Sequence, residues 1–304
     1  MDANTNIKIF NETLTHIQNS KVLSDAVKKS ISQTIAYADI SGYEYEEDEK
    51  YRSNFYYGNT EFVVSPGKVE DIINEKSFTV AQMVAEEGKK TAVLNMANPF
   101  SPGGGVKRGA QAQEEDLCRC STLAPVLYSD RSKDFYYERN EKEYSDTSKD
   151  LLERYSDRVL YSPGIIVIRN DRSYDFLGSP FSVDIITCAA PVDELFIRSH
   201  HYGELNTGDL YKPEITGFAD KNAFIDSHRT RAKRTLVSAL DHGADILVLG
   251  AIGCGAFCNN HLLVASAWGD VIKEYGGLFD KIYYAVYDPD GKMDSFVKQM
   301  STYM

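Results

Sequence analysis

Two apolar runs in this chain stop abruptly at glycine, and that pairing restricts the possible fold more than any other feature. Residues 91–98 read Thr-Ala-Val-Leu-Asn-Met-Ala-Asn and continue into Pro99-Phe100-Ser101-Pro102-Gly103-Gly104-Gly105. Residues 245–249 read Asp-Ile-Leu-Val-Leu and continue into Gly250-Ala251-Ile252-Gly253-Cys254-Gly255-Ala256-Phe257. A short, continuous aliphatic run predicts a strand buried on both faces. A glycine cluster at its end predicts a tight loop whose backbone can approach a neighbour closely. Helical spacing follows each loop, with Leu117, Cys120 and Leu123 after the first and residues 262–275 after the second. Strand–loop–helix units repeated in this way predict an α/β fold with a mostly parallel or mixed sheet.

The remaining segments fit that frame. Residues 158–171, 179–191 and 281–288 carry further β-branched runs, and residues 223–242 form an amphipathic helix. Residues 5–35 predict two helices broken near Asn19–Ser20. Residues 40–58, rich in Tyr, Glu and Asp, read as a surface connection, and 60–67 as a short strand. Residues 76–88 read as a helix with Phe78, Val80, Met83 and Val84 facing inward, and the charged stretch 129–158 as a surface excursion. No internal repeat or linker is visible. Residues 1–304 are therefore expected to form one domain, with 1–90 a helical accessory part and 91–304 the core holding both glycine loops.

Charge narrows the function. Thirty-three basic against forty-five acidic side chains leave a net charge of −12, which opposes a generic grip on duplex DNA. It leaves anionic small molecules open, because backbone N–H groups hold phosphates without Lys or Arg. The five cysteines (Cys118, Cys120, Cys188, Cys254, Cys258) form no CxxC pair, so reduced thiols in a cytoplasmic protein are expected. The first residues show no basic stretch leading into an apolar one, and no run reaches the roughly 18 apolar residues of a membrane span. Neither a leader nor a membrane partner is expected.

The loops hold the candidate chemistry. Gly253 to Phe257 lies between a strand and a helix, where successive N–H groups cradle a diphosphate; no Gly-Lys-Ser/Thr and no ordered GxGxxG is present. The same segment also fits a strand-to-helix turn without a ligand, and Gly103–Gly105 a plain flexible loop. Gln113-Glu114-Glu115 places two adjacent carboxylates at a predicted helix start, where acids also serve as simple charge complements. Arg229, Arg231, Lys233 and Arg234 read as a solvated helix face, or less simply as a contact for a polyanion. His200–His201 reads as a solvated polar loop, and His228 and His242 as structural. No metal-ligand cluster is visible.

Gly103-Gly104-Gly105, seven residues, then Gln113-Glu114-Glu115 resembles the signature of poly(ADP-ribose) glycohydrolases of the compact microbial type, whose catalytic domain is a macrodomain. Residues 6–17, 161–171, 184–191 and 228–260 resemble the family's opening helix, central strands, and helix–strand–diphosphate loop in order. The resemblance implies a three-layer α/β/α fold with a mixed sheet and an N-terminal helical extension. It implies cleavage of the glycosidic bond at the anomeric ribose carbon of ADP-ribose, through an oxocarbenium-like transition state.

The same resemblance assigns roles. Glu115 becomes the general acid and base, Glu114 a holder of ribose hydroxyls, and Gln113 the group that orients the acids or the ligand backbone. Gly103, Gly104 and Gly105 let the loop approach the ligand. Asn98 binds the distal ribose hydroxyls, where it otherwise serves as a turn-forming Asn. Gly253, Cys254, Gly255 and Ala256 offer N–H groups to the diphosphate, and Phe257 packs on the ligand or anchors the loop in the core. The acid step needs a protonated carboxyl near neutral pH. A helix N-terminus opposes this, whereas the adjacent carboxylate and the substrate diphosphate favour it. No cofactor and no metal are expected. The expected partner is ADP-ribose, an ADP-ribosylated protein or poly(ADP-ribose). Two alternatives remain at this point: a hydrolase of mono-ADP-ribosyl proteins, such as ADP-ribosyl-arginine, and a module that binds ADP-ribose without cutting it. The sequence departs from the family pattern at Val192, at Cys258-Asn259-Asn260-His261, and over 129–158 and 193–222, where nothing matches.

Overall fold

The computed structural model describes residues 1–38, 55–56, 65–86, 88–201, 209, 212 and 216–304. The opening helices α1 (Ala3–Asn19) and α2 (Lys21–Gln33) break at Ser20, as the spacing predicts. Ser20 closes one helix through its N–H to Ile17 O (3.3 Å) and caps the next by accepting from Leu23 N (3.3 Å). Phe10, Ile17, Leu23 and Val27 form the buried stripe of the pair. Strand β1 (Ile35–Tyr37) follows at once, and the two-residue β2 (Phe55–Tyr56) pairs parallel to it. Part of the expected surface connection is therefore a strand. The rest of that stretch, and most of the strand expected at 60–67, lie outside the described residues.

After β3 (Asp71–Ile73), helix α3 (Ser77–Met83) starts under a carboxylate: Asp171 Oδ2 accepts from Phe78 N (2.9 Å) and Thr79 N (3.1 Å). Phe78 and Val80 are buried as expected, but Met83 is 63% exposed. The helix has only seven residues, and the spacing of Phe78 and Ala81 turns Met83 toward solvent. Strand β4 (Thr91–Met96) precedes α4 (Gln113–Cys120), α5 (Leu123–Leu127) and α6 (Glu138–Tyr144). Long strands β5 (Val159–Arg169) and β6 (Phe176–Cys188) come next, then α7 (Glu194–His201) and α8 (Lys221–Asp241). The chain closes with β7 (Ile246–Leu249), α9 (His261–Tyr275), β8 (Lys281–Ala285) and α10 (Asp294–Met300).

The strands form one mixed sheet in the order β2-β1-β5-β6-β4-β7-β8-β3. From β6 to β3 every pair is parallel, while β5 runs antiparallel to both β1 and β6. Alternation along the central strands divides the core in two. Leu94, Ile186 and Leu247 pack on one face with Leu236, Trp268, Ile272 and Phe296. Val93, Ile185 and Val248 pack on the other with Phe10, Leu117, Leu123 and Tyr136. The result is a three-layer α/β/α arrangement. The carboxyl ends of β4 and β7, which carry both glycine loops, are neighbours because the two strands are paired.

Three expectations need correction. The stretch 129–158 is not a simple surface excursion: Phe135, Tyr136 and Tyr137 are buried, and buried Asn140 donates to Pro99 O at 3.0 Å. Its charge count hid three consecutive aromatics, which anchor it. His200 and His201 belong to helix α7, not to a loop. The run Arg229–Arg234 is not uniformly solvated, because Arg231 is fully buried. Arg231 donates to Ala189 O (2.8 Å), Ser227 O (2.9 Å), Tyr155 O (2.9 Å) and Ser156 O (2.8 Å). His228, also buried, accepts from Trp268 Nε1 at 3.4 Å and meets Asn259 Oδ1 at 2.8 Å. Burial pushes its pKa down to about 3, so it stays neutral.

Removing Arg231 takes a donor from Ala189 O, Tyr155 O and Ser156 O at once. Arg231→Ala is expected to lower stability by about 3–5 kcal/mol in urea unfolding. A loss under about 1 kcal/mol contradicts the role given to this side chain.

Candidate active site

Strand β4 ends in a device that fixes the helix carrying the acids. Gln113, the first residue of α4, accepts from Met96 N (2.9 Å) and donates to Leu94 O (2.6 Å) and Ser77 Oγ (3.1 Å). Its amide thus extends the edge of β4 and ties α4 and α3 to it. The side chain orients the acids indirectly, by locking the start of their helix, with its polar atoms engaged inside the protein.

Glu114 and Glu115 follow, both buried in the first turn of α4, whose N-cap Ala112 supplies no side-chain cap. The loop before them holds one oxygen of each. Asn98 N donates to Glu114 Oε2 (2.7 Å), and Gly105 N donates to Glu115 Oε1 (2.7 Å). The other oxygens, Glu114 Oε1 and Glu115 Oε2, are buried and accept nothing among the described residues. Burial, reinforced by the charge of Glu115, pushes the pKa of Glu114 up to about 8 against the pull of the Asn98 N–H. Glu114 therefore keeps a proton in this pair at neutral pH.

The glycines are required by contact. Gly104 has φ +57, and a Cβ there would stand 2.4 Å from Glu115 Oε1 and 3.0 Å from Glu114 Oε2. Gly103 has φ +67 and lies buried against Cys118 and Tyr128. Asn98 Oδ1 accepts from Phe100 N (2.9 Å) and Ser101 N (2.8 Å), so its oxygen shapes the loop. Its amide nitrogen has no hydrogen bond to the described residues.

The second loop supplies the facing wall. Cys254 N donates to Ala251 O (3.2 Å), so this N–H is engaged within the loop rather than offered to a ligand. The N–H groups of Gly253, Gly255, Ala256 and Phe257 have no acceptor among the described residues. Helix α9 does not contribute its terminus: Asn260 Oδ1 accepts from Leu262 N and Leu263 N, both at 3.1 Å. The loop is braced from beneath, where Asn259 Nδ2 donates to Pro191 O (2.7 Å) and Phe257 O (3.0 Å). Cys258 adopts φ +54, a left-handed conformation strained for a side-chain-bearing residue. Phe257 is half-buried, packed against the core, and also faces the cavity.

Both loops open onto one cavity of about 750 Å³. Asn98, Gly104, Gly105, Gln113, Glu114, Glu115, Gly253, Gly255, Ala256 and Phe257 line it, whereas Gly103 and Cys254 lie behind the wall. Such a volume is ordinary for a small-molecule site. Sequence reasoning did not single out Lys76, Arg108, Tyr174 and Tyr287, which also line it. For Tyr287 a signal existed: it follows β8 at the carboxyl edge of a parallel sheet, where ligand sites gather. Lys76 and Tyr174 are fixed by Asp116, which accepts from Lys76 Nζ (2.6 Å) and Tyr174 OH (2.6 Å). Among the described residues no group of three or more His, Cys, Asp or Glu is placed to hold a metal.

Two tests address this geometry. Gly104→Ala is expected to reduce turnover at least a hundredfold, because the methyl displaces the carboxylate and the backbone is strained; activity within threefold of the parent would falsify the contact argument. Glu114 tests the burial. Its folded pKa lies above the unfolded value of 4.5. The folded state therefore binds the extra proton, and stability falls as pH rises from about 4.5 through about 8. In urea unfolding, Glu114→Gln should gain on the parent steadily across this window. A pH-independent gap contradicts a raised pKa.

The family described as "Microbial-type PARG, catalytic domain" matches residues 3–170. Poly(ADP-ribose) glycohydrolase from Thermomonospora curvata is 24% identical, with a TM-score of 0.70 over 97% of this chain and 99% of that one. The same enzyme bound to the inhibitor ADP-HPD gives 25% identity, a TM-score of 0.70 and the same coverage. The glycohydrolase from Deinococcus radiodurans in complex with ADP-ribose gives 27% identity and a TM-score of 0.66 over 91% of this chain and 97% of that one. Among curated proteins none matches. The chain belongs to the microbial-type poly(ADP-ribose) glycohydrolase (PARG) catalytic-domain family.

Proposed function

We propose that this chain is a poly(ADP-ribose) glycohydrolase that cleaves the bond between the anomeric ribose carbon and its leaving oxygen. The observation that carries this reading is the pair Glu114–Glu115: each has one oxygen held by a loop N–H, and both residues line a cavity whose far wall presents free N–H groups. A module that only binds ADP-ribose gains nothing from burying two adjacent acids, whose ionised forms are costly away from water. The ADP-ribose complexes of related enzymes favour the same ligand here.

In this reading the diphosphate lies against the N–H groups of Gly253, Gly255, Ala256 and Phe257. The Asn98 amide nitrogen donates to a distal ribose hydroxyl, and the half-buried face of Phe257 packs on the ligand. Glu114 holds hydroxyls on the leaving side. The acid step starts from the substrate-bound site with Glu115 protonated as well, a state the substrate diphosphate favours, and Glu115 gives that proton to the leaving ribose oxygen as the C1″–O bond breaks. A water then attacks C1″ and returns a proton to Glu115, leaving ADP-ribose and a shortened chain. The neutral Glu114 beside it keeps the pair from carrying two charges at once. Residues 1–304 act as one catalytic domain, with 1–90 bracing the loop of the acids: Asn6 Nδ2 donates to Gly109 O at 2.9 Å. No described helix is long and apolar enough to cross a membrane.

The test is ADP-ribose release from poly(ADP-ribose), beside release from a mono-ADP-ribosylated protein, with Glu115→Ala as control. Release from the polymer that falls at least a thousandfold in Glu115→Ala, with ADP-ribose affinity kept within severalfold, is the expected result. Release from the mono-modified protein alone moves the activity to side-chain de-modification. Tight ADP-ribose binding with no release from either leaves a binding module.

A further inference from the structure

Among the described residues, the basic side chains that line the cavity are those of Lys76, Arg108 and Arg172. Lys76 is paired with Asp116 at 2.6 Å, and Arg172 with Glu75. Arg108 has no carboxylate partner among the described residues, and its side chain is exposed. Its backbone is nevertheless rigid. A 3₁₀ turn spans Val106–Arg108, Arg108 N donates to Gly105 O (2.8 Å), and Ala110 N donates to the same carbonyl (3.2 Å). Val106 is fully buried beneath. The adjacent Lys107 does not duplicate Arg108, because its Nζ lies over the Tyr128 ring, 4.1 Å from the centroid.

Arg108 and Glu115 both approach Gly105. A Cβ on Gly105 would lie 3.5 Å from Glu115 Oε1 and 3.8 Å from Arg108 Nη2. The guanidinium and the acid thus share one side of the loop, and Gly105 N is the group that holds Glu115. A ribose–ribose link joins two nucleotide units across the scissile bond. One diphosphate belongs to the unit that is released; the other lies one ribose beyond the leaving oxygen. The loop 253–257 offers N–H groups to the first only. A planar, permanently charged fork beside the acid suits the second.

We propose that Arg108 forms an anion subsite for the phosphate of the leaving-side nucleotide and so sets a preference for ribose–ribose links over ADP-ribose on a protein side chain. This rests on the reading of the cavity as an ADP-ribose site. An amino-acid leaving group carries no phosphate at that distance and gains nothing from the guanidinium.

The probes are ADP-ribose and its ribose–ribose-linked dimer, titrated into Glu115→Gln protein with Arg108 intact or changed to Ala or Lys. The dimer should bind Arg108→Ala about tenfold more weakly, with ADP-ribose affinity changed less than about twofold. Arg108→Lys should recover part of the loss, and added salt should shrink the effect. Equal weakening of both probes, or weakening of neither, overturns the subsite. Binding of neither probe by a Glu115→Gln protein that unfolds normally in urea removes the ADP-ribose reading itself, an outcome distinct from loss of the dimer preference alone.

Discussion

The structure depends on burying two adjacent carboxylates without two buried charges. A carboxylate removed from water costs several kcal/mol unless donors replace the lost hydration. Here Asn98 N and Gly105 N supply those donors, and α4 points its N-terminal dipole at the same place. Burial then keeps Glu114 neutral by raising its pKa. Most features around the site serve this arrangement. Gly104 lacks a side chain because the carboxylates occupy the space, and Gln113 fixes the helix so that the oxygens do not drift.

The sheet explains why this acid pair meets a second loop at all. Strands β4 and β7 are hydrogen-bonded neighbours, with Thr91, Ala92 and Val93 opposite Ile246, Leu247 and Val248. Their carboxyl ends therefore deliver two glycine loops to one crevice, although about 150 residues separate them in sequence. Neither loop relies on a helix terminus for its open N–H groups; Asn260 closes that of α9. The anion-binding capacity is local backbone geometry, which accommodates a diphosphate in a protein of net charge −12.

Strands, long helices and both loops were legible because burial imposes regular patterns. Leu247 and Val248 sit on opposite faces of β7 and belong to opposite halves of the core. The break at Ser20 was legible because a serine where the helical spacing lapses can cap the helix that follows. What stayed hidden depends on tertiary partners. Arg231 read as a surface cation because its four carbonyl acceptors come from three separate segments. The aromatic anchor Phe135–Tyr137 was masked by the charges around it. At the site, the residue types and order were readable, but the atoms were not. Only the folded loop reveals that Cys254 N is engaged by Ala251 O and that Asn98 Oδ1 shapes a turn. Arg108 carries no motif, and its place in the cavity follows from the turn of Val106–Arg108.

The most direct test of the two-loop site is a crystal structure of the Glu115→Gln protein with ADP-ribose bound. The expected result has the diphosphate on the N–H groups of Gly255, Ala256 and Phe257, and the anomeric carbon beside the side chains of residues 114 and 115. ADP-ribose bound elsewhere, or bound at the second loop with its anomeric carbon turned away from the acids, would contradict a single site assembled from the ends of β4 and β7.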